Sequence, residues 1–180
     1  GNNCVIDSCM AFDGVNDNVN TASISSLNLN NNYTISFWSY WRASEANSGL
    51  VRLTNSAGDN SASKSKYAVS IGGSTSLRFT TGDGTTGDVD SFTISNSTNQ
   101  WSFFACTLNS NNVKECYRNG ISVGTATNSV DTSLLTPTVF IIGSLKTSAG
   151  NGLNGLMDEV RVYNRALSAD EVKQLYNMGR

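Results

Sequence analysis

The residues whose types and spacing bear on hydrolysis are two carboxylate pairs, Asp88/Asp90 and Asp158/Glu159. A retaining glycosidase needs two carboxyl groups about 5–5.5 Å apart across one bound sugar. On one strand that means positions i and i+2 or i+4 of the same face. Asp158 and Glu159 are neighbours and point to opposite faces. Asp88 and Asp90 follow the glycine-rich stretch Gly82-Asp-Gly-Thr-Thr-Gly-Asp88 and read as a solvated turn. The chain has no histidine, which removes Ser-His-Asp and Cys-His nucleophiles and the common zinc hydrolase sites. The residues therefore predict a protein that binds without catalysis.

Four cysteines form two local pairs. Cys4 and Cys9 bracket a four-residue loop, and Cys106 and Cys116 flank the polar turn Asn109-Ser-Asn-Asn112. If that turn closes a hairpin, Cys106 and Cys116 fall opposite each other. Two bridges, Cys4–Cys9 and Cys106–Cys116, are expected, which places the chain in an oxidising compartment. The alternatives are four buried thiols or a zinc site, for which the spacings are wrong. A sugar-binding surface needs aromatic platforms beside polar partners. Trp38 and Tyr40 share one face of a strand, and Tyr67 and Arg78 lie on nearby strands. These four are the candidate ligand-binding residues, with packing as the other use of the aromatics. Trp41, at the strand end, is a candidate for the rim. Asn32-Tyr-Thr34 and Asn96-Ser-Thr98 are sequons that would accept glycan in a host with that pathway.

The elements that must position these side chains are mostly strands. The segment Tyr33-Thr-Ile-Ser-Phe-Trp-Ser-Tyr-Trp41 alternates, with Tyr33, Ile35, Phe37, Ser39 and Trp41 on one face. About a dozen such runs are separated by turn signals at 8–12-residue spacing, which predicts two packed antiparallel sheets. Further runs are Leu50–Thr54, Lys66–Ile71, Ser76–Thr80, Asp90–Ile94, Trp101–Leu108, Val113–Arg118, Ile121–Thr125, Val139–Ser144 and Leu156–Tyr163. Asn119-Gly120 supplies a tight type I′ turn. Near the C-terminus Ser168 stands three residues before Glu171, a capping box, and Leu167 and Val172 flank it as a hydrophobic staple. One short helix therefore closes an otherwise all-β chain. At 180 residues the chain makes a single domain, residues 1–180, with a sizeable core.

Charged residues make up 14% and the net charge is −2, so the polar character comes from Ser, Thr, Asn and Gly. That balance argues against nucleic acid or an anionic membrane surface as partner. No apolar run approaches the roughly 18 residues of a membrane helix. Gly1 in place of Met predicts a mature or trimmed product.

Four blocks, in order along nearly the whole chain, carry a resemblance. They are Phe12-Asp-Gly-Val-Asn-Asp-Asn-Val-Asn20, Tyr33-Thr-Ile-Ser-Phe-Trp38, Trp101 through Tyr117-Arg-Asn-Gly120, and Gly155-Leu-Met-Asp-Glu-Val-Arg-Val-Tyr-Asn-Arg-Ala-Leu-Ser168. Together they resemble the laminin G-like branch of the concanavalin A-like lectin/glucanase superfamily. The resemblance implies a two-sheet jelly-roll sandwich and an extracellular or cell-surface protein. It also implies a structural Ca²⁺ held by the aspartates of the first and last blocks, here Asp13 and Asp158, with Asn16 and Asp17 as weaker candidates. Without an ion, Asp13 turns the chain before Gly14 and Asp158 is one polar strand position. No segment resembles the E-x-D-x-E strand of the superfamily's glucanases. The expected function is a secreted, non-catalytic adhesion domain for glycan or another extracellular surface. The alternative is a subunit that assembles with copies of itself into an extracellular fibre.

Overall fold

The computed structural model describes residues 4–21, 24, 29–42, 46–146 and 152–179. Among the described residues, twelve strands and one α-helix follow one another: β1 (Met10–Asp13), β2 (Val19–Asn20), β3 (Tyr33–Trp41), β4 (Ala46–Thr54), β5 (Ser65–Gly72), β6 (Ser76–Gly82), β7 (Gly87–Thr93), β8 (Trp101–Leu108), β9 (Val113–Arg118), β10 (Ile121–Thr127), β11 (Val139–Ile142), β12 (Asn154–Tyr163) and α1 (Ala169–Met178). They form two six-stranded antiparallel sheets, ordered β1-β12-β3-β8-β9-β10 and β2-β11-β4-β5-β6-β7. This is the expected jelly-roll sandwich with a short C-terminal helix. Strand ends moved where polar residues hid them. β4 begins at Ala46. β7 begins at Gly87, because Asp83 turns the chain within four residues.

The core lies between the sheets, and strand alternation fills it. Tyr33, Ile35, Phe37 and Trp41 of β3 face inward against Val51, Leu53, Val69, Ile71, Leu77 and Phe79 of the second sheet. The Cys106–Cys116 bridge sits in this core at paired positions of β8 and β9, and Cys4–Cys9 closes the N-terminal loop. The positive φ angles at Asn119 and Gly120, 52° and 76°, are those of the expected I′ turn.

The outer faces of the two sheets differ. On the first, Trp38, Phe103, Ala105 and Tyr117 form a second apolar cluster with Leu167 and Val172. Helix α1 covers that cluster, held at its start by the full capping box of Ser168 and Glu171. No α-helix packs on the outer face of the second sheet among the described residues, and the candidate site lies there.

Candidate functional site

Two cross-strand rows build the open face. The first runs Arg52, Ala68, Thr80, Val89 across β4, β5, β6 and β7. The second runs Gly49, Ser70, Arg78, Ser91 across the same strands. Side chains of one row project the same way because strand side chains alternate with period two. The rows floor a groove of about 220 Å³ lined by Asn60, Ala62, Ser65, Arg78 and Leu145 besides the small floor residues.

Two segments wall the groove, and Arg52 holds both. Its Nε donates to Ser65 Oγ at 2.8 Å, and Nη1 to the carbonyl of Leu145 at 2.6 Å and to that of Asp59. Nη2 reaches the Ser61 carbonyl at 3.2 Å. Arg52 is fully buried, and burial pushes its pKa down to about 10, with Asp59 working against the shift. It stays cationic at neutral pH. The wall at Leu145 crosses β4 at Gly49, where a Cβ would stand 2.3 Å from the Leu145 amide. Only glycine allows that approach. The opposite wall, the turn Ala62–Lys64, is tied to the β6–β7 turn by Lys64 Nζ on the Gly84 carbonyl, 2.6 Å.

Of the four residues expected to bind ligand, one lies at this groove. Arg78 lines it. Tyr67 is fully buried in the core, 5.3 Å from the Tyr33 ring, because it falls on the inward register with Leu53 and Thr81. Trp38 faces outward as its alternation requires, but on the first sheet, where α1 covers it. Its ring stacks on Tyr176 at 5.6 Å and meets Phe103 at 5.6 Å. Tyr40 lies half-buried on the same face, paired with Trp101 at 5.9 Å. Trp41 is core rather than rim, stacked on Phe104 at 5.5 Å.

The carboxylates are also accounted for. Asp88 and Asp90 are not a solvated turn. They point inward from β7 and clasp Lys114 of β9, whose Nζ is 2.8 Å from Asp90 and 3.5 Å from Asp88. Burial acts to raise the Asp88 pKa, but the Ser129 amide and hydroxyl and Lys114 outweigh it and hold the group below the carboxylate range. Asp158 accepts the amides of Ile6 and Glu159, at 2.9 and 2.8 Å, and Glu159 pairs with Arg161 at a bulge of β12.

Asp13 and Asp158 are not brought together. Asp13 pairs with Asn154, four residues from Asp158 along β12, which is ~13 Å at about 3.3 Å per residue. Asp13 Oδ1 accepts the Val15 and Asn16 amides, and Asp17 accepts the Asp13 amide. No group of three potential metal ligands of the His, Cys, Asp and Glu types forms among the described residues. The pair as placed does not fit one shared ion.

The sequons differ in access. The Asn32 side chain accepts the Ala166 amide, and Thr34 Oγ1 bonds the Arg165 carbonyl and the Leu167 amide. Asn96 is exposed and caps its own turn through the Thr98 amide. The sequence reading missed Arg52, Ser65, Ser70 and Thr80. An arginine inside the apolar run Leu50-Val-Arg-Leu53 was the available signal.

The fold and its open sheet face define a lectin-type sandwich. Residues 13–173 match the concanavalin A-like lectin/glucanases superfamily, and the chain belongs to it, in its laminin G-like family. No curated protein sequence matches the chain. Among solved structures, domain 4 of AbnA, a GH43 extracellular arabinanase from Geobacillus stearothermophilus, in complex with arabinotriose, is similar. It has a TM-score of 0.71 and 19% identity over 95% of this chain and 77% of that one. The CBM40 of the Ruminococcus gnavus IT-sialidase, bound to α2,3-sialyllactose, has a TM-score of 0.68 and 11% identity over 94% and 98%. Botulinum neurotoxin type C, whose cell entry depends on interaction with two ganglioside molecules, has a TM-score of 0.68 and 16% identity, and the chain spans only 40% of its length.

Proposed function

We propose that the chain is a non-catalytic glycan-binding domain and that the groove over β4–β7 is its binding surface. The observation that carries this reading is the buried Arg52, whose bonds hold two loop segments as walls over a floor of small and hydroxylated side chains. Hydroxyls and a guanidinium suit the polar edges of a sugar, and a preformed wall lowers the ordering cost of binding. Structures similar to this one, solved with arabinotriose and with sialyllactose, support the choice of ligand class. The engagement of Asp88, Asp90 and Glu159 with cations supports binding without turnover. The two disulfides suit an extracellular setting.

Recognition by a shallow polar groove is weak per site, because polar groups exchange water for ligand with little net gain. Several copies on one surface would supply avidity. Multivalent display of the domain on a glycan array is therefore the test, with binding expected and its loss on filling the groove. Release of reducing sugar from a polysaccharide would overturn the reading. Ordered fibres from the isolated domain, with no glycan bound, would replace it with self-assembly. Calcium enters as a proposal from the resemblance alone. Melting temperatures with and without chelator decide it, and an unchanged value removes it.

A further inference from the structure

We infer that the groove takes the free end of a saccharide chain, one terminal sugar deep, and does not clasp a chain in mid-length, a reading that rests on the groove being the glycan site. Exposure across its floor runs one way. In the row Arg52, Ala68, Thr80, Val89 the residues are 0%, 2%, 8% and 50% exposed from β4 to β7. The second row repeats the gradient, with Gly49 and Ser70 buried, Arg78 half-buried and Ser91 exposed. A cleft open at both ends would show no such slope. This one is covered over β4 and opens at β7, the edge strand of its sheet.

Described residues close the other three sides. Over β4, Arg52 Nη1 donates to the carbonyls of both Leu145 and Asp59, so the two wall segments meet at one nitrogen. Along one set of strand ends, the Ala62–Lys64 turn lies on Gly82 and Gly87. A Cβ at Gly82 would stand 2.5 Å from the Ala62 carbonyl oxygen, and one at Gly87 would press on the Ala62 side chain. Packing that close leaves no passage for a sugar beneath the turn. At the opposite strand ends the Arg78 side chain lies across Gly72, where a Cβ would meet its Nε at 2.8 Å and Ser76 Oγ at 3.0 Å. The fourth side, at Val89 and Ser91, faces solvent.

The enclosed space is about 220 Å³, below the roughly 300–1,000 Å³ of pockets that bury drug-sized ligands, so it houses one sugar and not a run of them. No aromatic residue lines it among the described residues. A mid-chain sugar gripped on one face depends on such a ring for contact area. A terminal sugar entering end-first is met on several edges by Ser65, Ser70, Thr80 and the walls. Its outermost hydroxyl both donates and accepts. In mid-chain that oxygen is a glycosidic bridge, which only accepts and would carry the next sugar into the Leu145 wall.

The test displays the full 180-residue domain in multiple copies against glycans tethered by their reducing ends. α2,3-Sialyllactose contains the lactose unit but covers its galactose end. A reader of free ends should separate lactose from α2,3-sialyllactose by at least about tenfold, in whichever direction the terminal sugar fits, because a polar site penalises a missing or blocked partner. In competition, arabinotriose and a much longer linear arabinan should inhibit equally per chain, since each carries one non-reducing end. The series that binds decides. Ser70→Trp should abolish binding, and Arg161→Gln on the other sheet should leave it unchanged. Melting temperatures establish that each variant folds. Equal binding of lactose and α2,3-sialyllactose, or arabinan inhibition that follows sugar mass instead of chain number, overturns the inference; where Ser70→Trp abolishes that binding, the groove reading stands. Binding that survives Ser70→Trp overturns the groove reading as well, and so does binding of none of the probes.

Discussion

Arginine and tryptophan exchange their expected roles in this molecule. Trp38 is the residue type that most often serves as a sugar platform, yet it lies between Phe103 and Tyr176 beneath α1. Arg52 sits in an apolar strand where a charge is costly, yet it organises a groove that combines walls, hydroxyls and a cation. The two roles separate by mutation. Trp38→Ala should cost about 3–5 kcal/mol in chemical denaturation, the usual range for emptying a buried aromatic site. Its glycan binding, measured below the denaturation midpoint, should be unchanged. Arg52→Met should reduce binding strongly, because Leu145, Asp59 and Ser61 lose the donor that holds them together. Loss of binding in Trp38→Ala with binding kept in Arg52→Met would invert the assignment of the site.

At the scale of elements, the sequence was legible wherever one face is buried and the other is not. The alternation of β3 told which side chains face inward, and the structure keeps every one of those assignments. What lies over an outward face is a different kind of information. It depends on where a distant segment docks, and no local pattern states that α1 returns to cover Trp38. The carboxylates of β7 were misread for a related reason. Glycines and aspartates that mark turns also appear in an edge strand, and the partner that explains them, Lys114, is 24 residues from Asp90. The helix itself was readable because its signal is local. Ser168→Ala should cost about 1 kcal/mol through the lost cap. Glu171 adds a pH signature. The Arg165 guanidinium, donating to both oxygens, and the Ser168 amide hold its pKa down to about 2. A depressed carboxylate stabilises the fold above its unfolded pKa, near 4.3, and that contribution is lost as pH falls toward 2. Melting scans across that window should be flatter for Glu171→Gln than for the parent. Identical slopes would mean the pair persists equally in the unfolded chain.

For the molecule as a whole, the groove depends on how the two sheets are joined at their far edge. Asp88 and Asp90 project inward from β7, so Val89 and Ser91 between and beyond them project outward at the groove side. Lys114 of the first sheet therefore fixes the rim of a site on the second. The clamp is asymmetric. The Lys114 side chain is 0% exposed, whereas those of Asp88 and Asp90 are 13% and 26% exposed. Removing both carboxylates strands a buried ammonium beside the Phe79 ring, with carbonyls as its remaining partners. Removing the ammonium leaves carboxylates that can reach water, and Asp88 retains the Ser129 amide and hydroxyl. Breaking a buried pair by taking one partner costs about 3–5 kcal/mol when the survivor stays buried, and less when it rehydrates. Urea denaturation should accordingly rank Asp88→Asn/Asp90→Asn well below Lys114→Met in stability, although both lose the same ion pairs. The two variants should also weaken glycan binding, measured where both remain folded, because β7 is no longer held against β9 and the Val89 rim loosens. Equal stability losses would show that the clamp is solvated from both sides. Unchanged binding would show that the rim is set by the β6–β7 ladder alone.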